Sequence, residues 1–289
     1  MLIRPFALAA PLLTLAVAAQ AQTVVIHAGQ LLDRPERAPR AAATLLIRNG
    51  KIEQVRDGHL GADAFDDAQG ARVIDLREHF VLPGLIDSHV HLTSDLGGAA
   101  GQLASVQRTQ SDNALEAAAN ARKTLLAGFT TVRNLGDGDG EIRALRDAIA
   151  VGKITGPRIL TANASISATA GHGDPTLGFR PELHEAVDTS GNLCDGVESC
   201  RRAVRHQVAQ GADVIKILIT GGVNSRIGAG LGAQMFEDEA RAVVETSRMY
   251  GKKIAVHAHG ADGINLALRL GVDSIEHGTL LDAESLRLF

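Results

Sequence analysis

His89 and His91 close an apolar run that follows a Pro-Gly turn: Phe80-Val81-Leu82-Pro83-Gly84-Leu85-Ile86-Asp87-Ser88-His89-Val90-His91-Leu92. A β-strand sends residues i and i+2 to one face, so the two imidazoles project side by side, near enough to share a metal ion, and Val90 faces the packing behind them. Imidazole suits zinc and other borderline divalent ions. A surface strand with two solvated histidines is the competing reading, and a lone His-x-His does not separate the two. Three further segments bear on the choice. Lys216 stands inside the apolar run Gly211-Ala212-Asp213-Val214-Ile215-Lys216-Ile217-Leu218-Ile219, and lysine is seldom buried unless paired or chemically altered. His257 follows Ile254-Ala255-Val256 and is itself followed by Ala258-His259, and His277 ends Asp273-Ser274-Ile275-Glu276. Singly, each has an ordinary reading. Lys216 would snorkel to a rim, His257 and His259 would be a solvated pair, and His277 would flank a helix. Those readings do not extend comfortably to four strand ends at once.

The elements that must position these groups follow two rhythms. Residues 23–80 read as short strands and turns, with strand-like runs at 23–29, 44–50, 51–55 and 71–76. Asn49-Gly50 between two of them is a two-residue hairpin signal. After residue 85, strands alternate with helices. The strands are expected at 86–92, 129–134, 158–163, 213–219, 253–258 and 273–277, and the helices at 112–127, 140–151, 196–210, 236–250 and 261–270. Asp195-x-x-Glu198 resembles a capping box, and Gly128, Gly211, Gly251 and Gly271 each sit where a helix C′ glycine belongs. The alternation implies parallel βαβ units. The fold class is α/β: a TIM-type (β/α)8 barrel with about six of eight units present, preceded by a small β-sandwich-like domain, although periodicity alone does not separate a barrel from a doubly wound sheet. The domains are a signal peptide at 1–21, a partial β-domain at 22–82 and a partial barrel at 83–289. Barrel active sites lie at the C-terminal strand ends, where His89, His91, Lys216, His257 and His277 all fall.

Composition narrows the function. A net charge of −4 and 3% aromatic residues offer neither a basic footprint nor stacking surfaces, so nucleic acid is not an expected partner. Arg4, the apolar stretch 6–18 and Ala19-Gln20-Ala21 have the form of an export signal cleaved before Gln22. The stretch is shorter than the roughly 20 residues that span a bilayer, so no membrane partner is expected after cleavage and the location is periplasmic or secreted. In such a compartment Cys194 and Cys200 are expected to form a local disulfide, pinning a loop to the first turn of the next helix.

Pro-Gly-Leu-Ile-Asp-x-His-x-His and Gly128-Phe129-Thr130-Thr131-Val132-Arg133 resemble the first and second barrel strands of the amidohydrolase superfamily. Gly171-His172-Gly173-Asp174 and the Gly-Ala-Asp-Val-Ile-Lys strand are similar to the branch of Xaa-Pro dipeptidases (prolidase-type) and imidazolonepropionase-related enzymes. The resemblance covers residues 23–289. It implies a hydrolase of C–N bonds in small peptides, of Xaa-Pro type, acting through a hydroxide shared by two zinc ions. It assigns His89 and His91 to one ion, His257 and His277 to the other, and a carboxylated Lys216 as the bridge. His172 would contact substrate or the developing oxyanion, and His259 would orient the site. The superfamily's general-base aspartate ends an eighth strand, and no residue here matches it. The resemblance therefore implies an N-terminal portion of a longer protein, lacking also the strands that complete the small domain, and unstable and inactive by itself. The alternatives are a cyclic amide or lactone hydrolase like imidazolonepropionase, with one metal and no bridging lysine, a non-catalytic periplasmic metal-binding protein, and a plain structural barrel. Residues 168–193 and 221–235 read as long loops over the site. Asn224 and Arg226 in the second are open to binding a substrate carboxylate or to plain solvation. Oligomeric state is not legible.

Overall fold

The computed structural model describes residues 23–94, 96–138, 140–223 and 230–289. The expected signal segment, Asn224 and Arg226 lie outside the described residues. The chain divides into two units, Met1–Pro83 and Gly84–Phe289.

The first unit turns at Asn49-Gly50. Both residues take left-handed φ angles, 53° and 72°, as a two-residue hairpin with right-twisted strands requires. The hairpin joins β2 (Ala43–Arg48) to β3 (Lys51–Asp57). β2 also pairs antiparallel with β1 (Thr23–Leu31), with Val25 opposite Leu46. β4 (Arg72–Val81) runs parallel to β1, giving one mixed sheet of order β3-β2-β1-β4. It runs five residues past the expected end, taking in Phe80 and Val81. Alternation buries Val25 and Leu46 with Phe65 on one face and Ala28, Ala43 and Leu45 on the other. Among the described residues this unit is a single sheet, where the sequence suggested a sandwich.

The second unit begins with three parallel strands: β5 (Leu85–Val90), β6 (Phe129–Asn134) and β7 (Arg158–Thr161). β8 (Val214–Leu218), β9 (Lys253–Ala258) and β10 (Ser274–His277) form a second parallel set. A parallel bridge between Ile166 and Ile217 carries the chain from the first set to the second. Spatial order thus follows chain order throughout. A doubly wound sheet reverses its order at a switch point, and this one does not, so the winding is that of a barrel. Among the described residues β5 pairs only with β6 and β10 only with β9. Ile86 on β5 is 71% exposed.

Helices fill every crossover: α1 (Gly98–Gln107) and α2 (Gln110–Leu126) after β5, α3 (Glu141–Ala150) after β6, and α4 (His184–Val187) and α5 (Val197–Ala209) after β7. α6 (Glu237–Met249), α7 (Ala261–Arg269) and α8 (Ala283–Leu288) follow β8, β9 and β10. α5 buries Cys200, Ala203, Val204 and Gln207, the i, i+3, i+4, i+7 stripe of a helix packed on a sheet. The expected C′ glycines at 128, 211, 251 and 271 all have positive φ. One expected cap fails. Gly196 precedes α5 with no side-chain cap, because the Asp195 carboxylate instead accepts from the backbone N–H and hydroxyl of Thr169. No described helix is long and apolar enough to cross a membrane.

Strand alternation sorts the second unit into two layers. Ile215, Ile217, Ile254 and Val256 face the helices with Val204, Val243 and Ile264. Val214 and Ala255 face inward with Leu135 and Ala162. Lys216 shares the inward face of β8 with Val214, and His257 shares that of β9 with Ala255. Cys194 and Cys200 are disulfide-bonded, tying the loop before α5 to the helix's first turn. Both are fully buried. A C194A/C200A variant is expected to lose about 2 kcal/mol of unfolding free energy. Urea titration of the oxidised protein against the variant checks this, and a reductant should shift only the former.

Candidate functional site

A cavity of about 960 Å³ opens at the C-terminal ends of the inward-facing strands. Its lining brings together His89, His91, His172, Lys216, His257, His259 and His277, the site residues read from the sequence that lie among the described residues. The rings of His89 and His91 lie 5.3 Å apart, and His89 is 5.1 Å from His277. His257 is 4.6 Å from His277 and 4.3 Å from His172.

Side-by-side placement of His89 and His91 is reached differently from a plain strand. β5 stops at Val90, and its register with β6 slips between Asp87 and Val90. The Asp87 carboxylate accepts the His89 backbone N–H at 3.0 Å across that slip. Val90 packs on the cluster of Leu92 and Val132. His277 also departs from alternation. Ile275 packs towards the helix side, so residue 277 would follow it outward. A left-handed φ of 73° at His277 turns the chain instead and delivers the ring to the cavity. Non-glycine residues hold that conformation only when their surroundings impose it, and such strain gathers at functional sites.

Hydrogen bonds select the ring nitrogen each histidine presents. His91 Nδ1–H donates to the Gly136 carbonyl at 2.6 Å, and His89 Nδ1–H to Glu276 Oε2 at 3.0 Å, so both present an Nε2 lone pair. His257 Nε2–H donates to the Gly221 carbonyl at 3.3 Å, leaving Nδ1 as the lone-pair atom. His259 Nδ1 pairs with the Thr279 hydroxyl at 2.8 Å. Glycine is required at 136, where φ is 133° and a Cβ would meet Ser165 Oγ at 2.4 Å. The loop carrying that carbonyl is anchored by Asp137, whose carboxylate accepts from Thr93 and Asn134 and whose N–H donates to Asn163. At 222, a Cβ would stand 2.3 Å from the His172 ring. Gln234 Oε1 accepts the His172 backbone N–H at 2.9 Å.

Burial sets the charge state of these groups. It holds His91 and His172 below the ordinary imidazole range, His257 down to about 2 and His277 down to about 4. Neighbouring cations add to the effect: His172 and His277 act on His257, and Lys216 on all four. Lys216, 2% exposed, is lowered to about 8 by burial and by Arg133, against the opposing pull of Glu276. Burial raises the Glu276 carboxyl, but His89, Ser274 and Arg133 outweigh it and bring it to about 2. The cavity therefore holds imidazoles at 91, 172, 257 and 277 that favour the neutral form and a lysine amine within reach of its neutral form, which is the donor chemistry of a divalent metal centre. His257, His259 and His277 offer ligand atoms within 4.8 Å of one another. His259, read from sequence as an orienting group, thus stands among the candidate ligands.

Residues 80–289 match the Amidohydrolase family. The chain belongs to this family. Among similar proteins, ochratoxinase of Aspergillus niger is 31% identical, over 94% of this chain and 58% of its own. Imidazolonepropionase of Anaeromyxobacter dehalogenans is 29% identical, over 86% and 61%. A crystal structure of a Xaa-Pro dipeptidase with methionine in its active site is 38% identical, covers 92% of this chain and 64% of that one, and superposes with a TM-score of 0.82. This amidohydrolase chain spans about three fifths of the length of these relatives.

Sequence reasoning passed over Glu276, Arg133 and Ser274. The signal that flagged Lys216, an ionic residue on the inward face of a barrel strand, applies equally to Arg133 on β6 and Glu276 on β10. The pKa shifts of His257 and His277 give a test. In the unfolded chain both take up protons below about 6.5, while the folded protein resists until about 2 and about 4. The metal-free protein is expected to lose stability as pH falls from 6.5 towards 4, while the lowered Lys216 amine adds a separate rise above about pH 8. Glu276 titrates in the same direction but only below about 4.5. In His277→Asn the urea midpoint should fall less steeply between pH 6.5 and 4.5; a flat wild-type profile there would contradict the lowered proton affinity of these imidazoles.

Proposed function

We propose that the protein is a metal-dependent hydrolase of C–N bonds in small peptides, with Xaa-Pro-type dipeptides as its substrate class. The observation that carries this reading is the convergence of five potential ligands, from four strand ends, on one cavity that also holds His172. His89 and His91 would hold one zinc ion through Nε2. His257, through Nδ1, and His277 would hold a second. Lys216 would bridge them as a carbamate: its neutral amine attacks carbon dioxide, an N–C bond forms as one C=O π bond opens, one proton leaves the nitrogen, and the side chain ends in a carboxylate whose single negative charge is shared by two oxygens. Ions held there supply Lewis acidity to a carbonyl and a water of lowered pKa. His172, its backbone held by Gln234, faces the reacting carbonyl and donates to the oxygen on which charge develops. Val187 and Val223 on the cavity wall give apolar area to the substrate's side chain or ring. No residue among these 289 is assigned to proton delivery to the leaving amine. We further propose export to the periplasm or exterior, which the Cys194–Cys200 disulfide supports.

The closeness of His257, His259 and His277 favours a second reading, a single ion on three imidazoles in a ring-amide hydrolase like the imidazolonepropionase relative. A metal-binding protein without turnover is the third.

Elemental analysis and dipeptide assays on the protein at its natural full length decide among them. Two zinc ions per chain, bicarbonate-dependent reconstitution and Xaa-Pro hydrolysis are expected. Lys216→Ala should hold no more than one ion and lose activity by at least about 100-fold, with no rescue by bicarbonate. One ion per wild-type chain would favour the ring-amide reading. Bound zinc with no turnover over a broad dipeptide panel would leave the binding protein.

A further inference from the structure

Arg133, Lys216 and Glu276 point inward from β6, β8 and β10. These are the second, fourth and sixth strands of the barrel, and alternate strands contribute side chains to one interior layer. Such layers are ordinarily apolar, so an ionic one beneath a histidine cluster calls for a reason. Glu276 is 6% exposed, and its two oxygens are differently engaged. Oε1 accepts from Arg133 Nη2 at 2.6 Å and from the Ser274 hydroxyl at 2.7 Å. Oε2 accepts from His89 Nδ1 at 3.0 Å. Arg133 is itself fixed, donating through Nε to the Ser88 carbonyl at 2.7 Å and through Nη1 to Ser274 at 3.2 Å. The guanidinium thus touches the residue preceding His89 while it clamps the carboxylate that His89 needs.

We propose that Glu276 is a positioning residue for the metal centre, held by Arg133 and Ser274 so that its free oxygen fixes His89 in the Nδ1–H tautomer and aims Nε2 at the ion. This inference rests on the metal-centre reading above. Both carboxylate oxygens being occupied also keeps Glu276 from acting as a ligand, a role its position would otherwise invite. An ion pair serving only to brace the strands would have no need of the third partner. It could be replaced by apolar groups of similar volume without consequence for His89.

The test uses wild type, Glu276→Ala, the double variants R133M/E276Q and R133M/E276L, and two readouts. Nitrogen-15 histidine NMR of the metal-free protein reads the His89 tautomer, and chelator competition reads zinc affinity. Glu276→Ala is expected to mix the His89 tautomers and to weaken zinc binding about 10- to 100-fold. R133M/E276Q removes the unpaired guanidinium and restores an acceptor to His89, so it should recover most of both. R133M/E276L should fold but recover neither, and it stands in if Glu276→Ala is unstable through its orphaned arginine. Wild-type tautomer or wild-type zinc affinity in R133M/E276L would overturn the positioning role and leave a brace. Wild-type protein that binds no zinc would bring down the metal-centre reading itself, a result separate from any variant.

Discussion

Lys216 is buried on the inward face of β8 between Val214 and Leu218, and the cost of keeping an ammonium there constrains everything around it. β8 is covered on both faces, by helices outside and by the inward layer within, so little of the charge's hydration is kept. Two outcomes are physically open to such a lysine: a neutral form, or a partner of opposite sign. The molecule prepares both. Burial and Arg133 draw the amine down to about 8, while Glu276 supplies the single carboxylate that pulls the other way. The same low-dielectric setting strips protons from the imidazoles. A site of this kind holds cations only if its imidazoles and amine are unprotonated, and desolvation favours that form. The fold and the electrostatics are therefore one argument. Parallel strands buried on both faces are what drive the ligand set into its neutral state.

Position is set by local departures from regular structure. The slip in β5 and the Asp87 carboxylate place His89, and a left-handed residue at the end of β10 places His277. A glycine-only loop aims a carbonyl at His91. Regular strands would have carried the same residues to the same end of the barrel, but with His277 facing the helices. The irregular backbone is concentrated where strands end, since only there can the chain turn without losing ladder hydrogen bonds.

The residues that meet in this cavity were legible in the sequence because their signal was one-dimensional. His89, His91, Lys216, His257 and His277 each stand in or just after a short apolar run of strand type, and strand boundaries came within two residues of those observed for every strand of the second unit. What escaped depends on pairing across the barrel. Glu276 and Arg133 are separated by more than 140 residues, and nothing in either local pattern says that they meet. The capping box at Asp195 failed for the same reason, as Thr169 outcompeted the local backbone for the carboxylate. α1 was missed because its glycines lower helix propensity and its ten residues bury no side chain fully. The tautomers of His91 and His257 rest on carbonyls at Gly136 and Gly221, and a backbone acceptor leaves no mark on side-chain identity.

The orienting bonds also divide the site by origin. His91 is oriented by the loop after β6, within the first strand set, and His257 and His259 by the segments after β8 and β10, within the second. Of His89, His91, His257 and His259, His89 is the one whose ring bond crosses from one set to the other, reaching Glu276 on β10. The two sets otherwise join through the Ile166–Ile217 bridge and polar pairs such as Arg146–Asp213. A shift of one strand set against the other would leave most of the orienting bonds intact and act first on His89. Registration of the barrel is thus transmitted to a candidate ligand through one carboxylate, which is why that carboxylate is clamped by a guanidinium rather than left to solvent.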